Sequence, residues 1–371
     1  VKSFYNRRLY GSLRVGIVAC FSSLHHNTFC TLIYNMPLYP LKFTPRLFHK
    51  IWGGQHIKQW YSPQSDNFEN VGESWLVSAQ EKYLTQVANG HLAGNDLQEL
   101  LEVYMSELVG DKVYEVFGNT FPVLVKFIDA DDDLSIQVHP GDDYAFEKED
   151  SLGKTEMWYV MNSEPYASVI RGWKQPMTEQ QIRIAIEEGN LSDYLNEYPV
   201  QEGDVVMLPA GIVHAMKRGT IVAEIQENSD ITYRLYDYNR VGNDGKKRPL
   251  KLQQALDVLD YSLPKESAVL HIDYPANGVA NIAQTPYFTT NVIRFSEPIQ
   301  RDYAPLDSFV LYMCVGGSMQ MYAPEAEETE RTITLHKGEA VLLPACLNDI
   351  ILTPTAPECR LLEVYMDTNL L

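Results

Sequence analysis

Two stretches of this chain are versions of each other. Residues 202–216, EGDVVMLPAGIVHAM, align without a gap on residues 337–351, KGEAVLLPACLNDII. Gly203 matches Gly338, Pro209 matches Pro344 and Ala210 matches Ala345. The physics of the shared frame is plain. Glycine opens a turn, an apolar strand follows, and proline, with no N–H to donate, ends the pairing. Such a repeat within 371 residues predicts two related β-barrel domains. The copies are unequal, because His214 falls opposite Asp349.

The rest of the chain carries the same signature. PVLVKFIDA (122–130), LSIQVHP (134–140), EMWYVMN, YASVIRGW, DVVMLPA and TIVAEIQENSD read as closely spaced strands, the pattern of a sandwich or barrel. Helices interrupt them. Residues 95–110 place apolar side chains at 97, 100, 101, 105 and 108, one face of an amphipathic helix. Thr178 with Gln181 three residues later is a capping-box signature, and Gly189 is a helix stop. LSDYLNEY reads as a further turn or two of helix, and residues 250–261 as a helix closing the first domain. SLPKES is a plausible linker, and strands resume after residue 268. The expected class is mainly β with helical inserts.

The expected divisions are an N-terminal extension at 1–35, a metal-binding catalytic domain at 36–262 and a C-terminal domain at 263–371 without a metal set. The extension has four Lys or Arg and no acid; the first acidic residue is Asp66. It reads as a disordered or non-native segment ahead of Met36, or as a targeting peptide, and it is left out of the fold argument.

The net charge of −19 argues against a nucleic-acid partner, which would need a basic face. No run approaches twenty apolar residues, so no membrane span is expected. Five cysteines without a C-x-x-C pair suggest reduced thiols and a cytoplasmic location. Whether the chain is a monomer or a homodimer is open.

Chemistry concentrates in a few residues. Gln137 and His139 lie two apart on a strand, so they share one face while Ile136 and Val138 share the other. His139 and His214 each sit at a strand end beside a turn, and Glu156 begins another strand. Together with Gln137 they offer two imidazoles, a carboxylate and an amide oxygen. That set suits a divalent transition metal, zinc first, with iron(II) or manganese as alternatives. The acid run at 129–134 and the basic DGKKRPL at 244–250 read instead as exposed loops.

GDVVMLPAGIVH fits the second cupin motif, G-D-x-x-x-x-P-x-G-x-x-H, from Gly203 to His214. LSIQVHP, GKTEMWYV, LPAGIVHAM and QENSDITYRLYD as a set resemble the type I mannose-6-phosphate isomerases in their short form. LFHKIWGG (47–54) and GESWLVSA (72–79) look like that family's opening. Gln-x-His replaces the H-x-H of cupins at large and matches this family. The resemblance runs from about Met36 to the C-terminus. It implies two cupin-like (jelly-roll) barrels and one Zn2+ per chain on Gln137, His139, Glu156 and His214. It also implies a sugar phosphate substrate exchanged between mannose 6-phosphate and fructose 6-phosphate through an enediol. Arg234 matches the family's active-site arginine; Lys154 and Glu224 are both candidates for proton transfer, and the sequence does not choose. An iron(II) oxygenase on His139, Glu156 and His214, or a non-catalytic sugar-binding cupin, are the rival readings.

Overall fold

The strand Val123–Ala130 is buried along its whole length. A strand covered on both faces reads as an unbroken apolar run, and VLVKFIDA is one except for Lys126 and Asp129. The computed structural model describes residues 36–62, 66–242, 245–265 and 267–371, so the extension 1–35 lies outside the described residues. The chain forms two compact units. One holds Arg46–Trp75 and Val123–Asp273; the other holds Leu76–Pro122, Tyr274–Leu371 and the described residues up to Pro45.

This division differs from the contiguous one expected. Strand Leu41–Thr44 pairs antiparallel with Ala340–Leu343 and with Gln86–Val87. Residues before 46 and around 76–122 therefore build the same sheet as the C-terminal stretch. Local patterning carries no record of a partner three hundred residues away.

The first unit is mainly antiparallel β. A seven-stranded sheet runs in the order Val269–Leu270, Val205–Leu208, Glu156–Ser163, Thr220–Glu227, Val123–Ala130, Glu73–Val77, Arg46–Phe48. A five-stranded sheet runs Tyr233–Tyr236, Ile136–Val138, His214–Met216, Ser168–Trp173, Leu195–Pro199. Val169 and Met216 of the smaller sheet pack with Trp158, Val206, Leu208 and Val222 of the larger one. The opposite face of the smaller sheet, with Ile136, Val138, Ile170, Ala215, Tyr233 and Leu235, packs on Ile182, Ala185, Ala255 and Leu256 of two helices. Gln137 and His214 thus face the inter-sheet space, as strand alternation requires.

Those helices are Glu179–Glu188 and Leu252–Val258. The first begins in a complete capping box between Thr178 and Gln181 and ends at Gly189 in the left-handed conformation, as its sequence predicts. LSDYLNEY keeps one of its expected turns, a short helical turn at Leu191–Tyr194, and then departs into the edge strand Leu195–Pro199, with Leu191 and Leu195 in the core. In the second unit, the helix expected at 95–110 is broken at Met105, whose φ of 47° ends Leu97–Tyr104 before Ser106–Val109.

The second unit has a seven-stranded and a four-stranded sheet. Its strand register repeats that of the first. Glu224 pairs across with Trp158 and Lys126; Glu363 pairs across with Tyr312 and Asn291. Leu208 pairs with Glu156, and Leu343 pairs with Val310. The sequence repeat is therefore a repeat of pairing. In the second unit the acid position is apolar Val310, and Asp349 is exposed.

Candidate metal centre

Three strands and a turn bring the cluster together. His214 pairs across the smaller sheet with Gln137, and Gln137 pairs with Arg234, so the three form a row on one face. Glu156 starts its strand in the opposing sheet. His139 follows Ile136–Val138 and is tied to the turn before His214: Gly211 N–H donates to the His139 carbonyl at 2.8 Å. Gly211 has a φ of +87°, and a Cβ there would lie 3.1 Å from the Val258 carbonyl oxygen. This is the physical content of the glycine in L-P-A-G.

His139, Glu156 and His214 place their ligand atoms within 4.8 Å of one another, all three buried. His214 Nε2 is 3.2 Å from Glu156 Oε1, and His139 Nε2 is 3.4 Å from Glu156 Oε2. Each ring's other nitrogen, Nδ1, donates to a carbonyl: His139 to Ile231 and His214 to Ile212, both at 2.8 Å. These bonds fix the tautomer, so both Nε2 atoms present lone pairs to the carboxylate. Both Glu156 oxygens are buried and, among the described residues, meet no donor in full hydrogen-bond geometry, though the Lys154 ammonium lies 3.1 Å from Oε2. Lone pairs converging on a buried carboxylate repel unless a cation lies among them; the Lys154 ammonium supplies positive charge at Oε2 and His139 Nε2, and a metal ion would supply it to the whole set. Gln137 stands beside them, its amide nitrogen 3.4 Å from His214 Nε2; a half-turn of the amide presents Oε1 instead.

Lys154 is also here. Its Nζ is 3.1 Å from Glu156 Oε2 and 3.2 Å from His139 Nε2. It lies before the strand rather than on it, held by its N–H to the Pro140 carbonyl at 2.9 Å, so its place comes from the turn and not from strand alternation. Burial, then the Lys154 charge, lowers the His139 imidazole to about 3 and keeps it neutral. Burial opposes ionisation of Glu156, and Lys154 and His139 overcome it to hold the carboxyl well below its ordinary range.

Glu224 occupies the same face of the larger sheet, one pairing step from Glu156: Gln226 is opposite Glu156, and Glu224 is opposite Trp158. Trp158 Nε1 donates to Glu224 Oε1 at 2.8 Å, and its ring meets the His214 ring edge-on at 5.6 Å. Arg234 is partly buried, and its Nε has no hydrogen-bond partner among the described residues. Burial, then the neighbouring Arg248, lowers its basicity.

Lys126, Trp158 and Trp75 were not singled out in the sequence. Lys126 Nζ is 2.7 Å from Glu224 Oε2 and lies over the Trp75 ring. A lone lysine inside the apolar run VLVKF is the signal that marks it. The acid run at 129–134 is not wholly a solvated loop. Asp129 is buried and accepts the N–H groups of His56 and Ile57 at 2.7 and 3.2 Å, at the start of helix His56–Trp60.

The fold and the site define a class: a mainly β protein with a buried His–Glu–His set that could hold a metal ion, and an amide beside it. A family model, phosphomannose isomerase type I, catalytic domain, matches residues 41–167. Mannose-6-phosphate isomerase from Streptococcus mutans is 34% identical over 316 residues, covering 82% of this chain and 92% of the relative. Mannose-6-phosphate isomerase ManA from Bacillus subtilis is 33% identical over 324 residues, covering 86% and 97%. The crystal structure of the mannose 6-phosphate isomerase from Bacillus subtilis matches with a TM-score of 0.75 at 31% identity, covering 88% of this chain and 99% of that one. The chain belongs to the type I mannose-6-phosphate isomerase family.

Proposed function

We propose that this chain is a zinc enzyme that interconverts mannose 6-phosphate and fructose 6-phosphate by moving a proton between C1 and C2 through an enediol. The observation that carries the reading is the convergence of His139, Glu156 and His214, all buried, with their ligand atoms within 4.8 Å of one another. The donor types, two nitrogens, a carboxylate and the Gln137 amide, fit zinc. His139, Glu156, His214 and Gln137 would hold the ion, which when bound polarises the substrate oxygens as a Lewis acid. Each unit is read as a jelly-roll of the cupin type, a reading supported by the repeated register.

The chain's own groups divide the remaining work. Lys154, paired with Glu156, acts as a cation that supports negative charge developing on the substrate oxygens. Glu224 is the proton-transfer group: it is buried on the same sheet face as Glu156, its carboxylate held between Trp158 Nε1 and the Lys126 ammonium. Arg234, with its buried unpartnered Nε, holds the anionic substrate or enediolate by its planar fork. The free cysteines among the described residues fit a reducing compartment.

The test combines a coupled assay of mannose 6-phosphate conversion with metal analysis. His139→Ala and His214→Ala are each expected to lose bound zinc and nearly all turnover, while Asp349→Ala in the second copy changes neither. Normal turnover with one zinc per chain in His214→Ala would overturn the ligand set. Iron-dependent oxygen uptake without isomerisation would replace the function.

A further inference from the structure

Lys126 is among the most buried cations of the described residues, with 4% of its surface exposed on a strand that is otherwise apolar apart from Asp129. Placing an ammonium there is costly unless it is paired. Its partner is Glu224, directly opposite on the neighbouring strand, at 2.7 Å. Glu224 is itself 3% exposed and is held from the other side by Trp158 Nε1. Behind Lys126, charges and aromatics alternate outward. The Lys126 ammonium lies 5.2 Å from the centre of the Trp75 ring; Trp75 Nε1 donates to Glu73 Oε2 at 2.8 Å; Glu73 Oε1 pairs with Lys50 at 3.0 Å. Lys50 is 32% exposed, so the series reaches from solvent to the inter-sheet space.

We propose that Lys126 is a positioning residue for the isomerase reaction, fixing Glu224 as an aimed carboxylate between itself and Trp158, with Trp75 and Glu73 holding the lysine in turn. The proposal rests on the reading of Glu224 as the proton-transfer group. The geometry supports it in three ways. Lys126 pairs with Glu224 and lies over Trp75, and the candidate metal set is His139, Glu156 and His214, so its role is separate from that set. Its ammonium lies 2.7 Å from Glu224 Oε2, a buried ion pair that restrains the carboxylate. Trp158 takes the other oxygen, so rotation of the carboxylate is blocked from both sides. A group that moves a proton to and from carbon loses rate steeply when misplaced by even an ångström.

Two residues acting as one unit give non-additive losses. Four variants test this by steady-state kinetics on the full chain: Glu224→Gln, Lys126→Met, Lys126→Arg and the double Lys126→Met with Glu224→Gln. Glu224→Gln is expected to lower kcat at least a hundredfold with KM within about threefold. Lys126→Met is expected to lower kcat tenfold or more with KM little changed, and Lys126→Arg to recover much of it. The double variant carries no unpaired buried charge, so it keeps the comparison available if Lys126→Met alone fails to fold. Its kcat should equal that of Glu224→Gln within about twofold. A further tenfold loss in the double variant would show that Lys126 acts on the substrate itself and would overturn the proposal, as would wild-type kcat in Lys126→Met. Wild-type kcat in Glu224→Gln would overturn the role of Glu224 and the proposal with it. Loss in Glu224→Gln with full activity in Lys126→Met would overturn the proposal alone.

Discussion

At the scale of the residue, orientation matters more than identity. His139 and His214 are ordinary histidines until the Ile231 and Ile212 carbonyls accept hydrogen bonds from their Nδ1–H groups and turn both Nε2 lone pairs inward. Arg234 shares a row with Gln137 and His214 because their strands pair in register. Its fork geometry yields a prediction. Arg234→Lys keeps the charge and loses the planar donor pair, so kcat is expected to fall at least a hundredfold while zinc content stays at one per chain. Turnover near wild type, measured beside metal analysis, would remove Arg234 from the mechanism.

At the scale of the element, the helices back the site without touching its chemistry. Glu179–Glu188 packs Ile182 and Ala185 under the smaller sheet, on the side away from Gln137 and His214. Its capping box satisfies the first orphan N–H groups: Thr178 Oγ1 accepts the Gln181 N–H at 3.3 Å, and the Gln181 side chain accepts the Thr178 N–H at 2.9 Å. Thr178→Ala is expected to destabilise the chain by about 1 kcal/mol. A lowered urea midpoint with unchanged kcat would be the result; a fall in kcat at full stability would mean that the helix tunes the metal row.

At the scale of the whole molecule, a chain of net charge −19 holds ionised groups deep inside, and this ties its stability to pH. Glu73 shows the sign. Burial alone would raise its carboxyl, but Lys50 and Lys126 outweigh burial and lower it from 4.5 to about 2. A depressed folded-state value adds stability that is present above the unfolded value and lost as pH falls toward 2. The depression corresponds to roughly 3 kcal/mol, an order-of-magnitude figure for a side chain 12% exposed. Glu73→Gln should therefore be less stable than wild type at neutral pH, and the gap should close as pH drops from about 5 toward 2. Parallel stability curves for the two proteins across that range would refute the assignment.

The strands, the repeat, the capped helix and the cluster of His139, Glu156 and His214 are legible in the sequence. Each of these is a local pattern: alternation, a turn glycine, a proline, a motif of fixed spacing. Gln137 faces as strand alternation requires, because alternation needs only neighbours; His139, one residue past the strand, is set by the turn it shares with Gly211. The tertiary structure alone decided which groups meet. It joined Leu41–Thr44 to Ala340–Leu343, split residues 76–122 from the unit around them in sequence, and set Lys126 opposite Glu224. Register between distant strands is fixed by the burial of whole sheet faces, a collective energy that no short stretch of sequence contains.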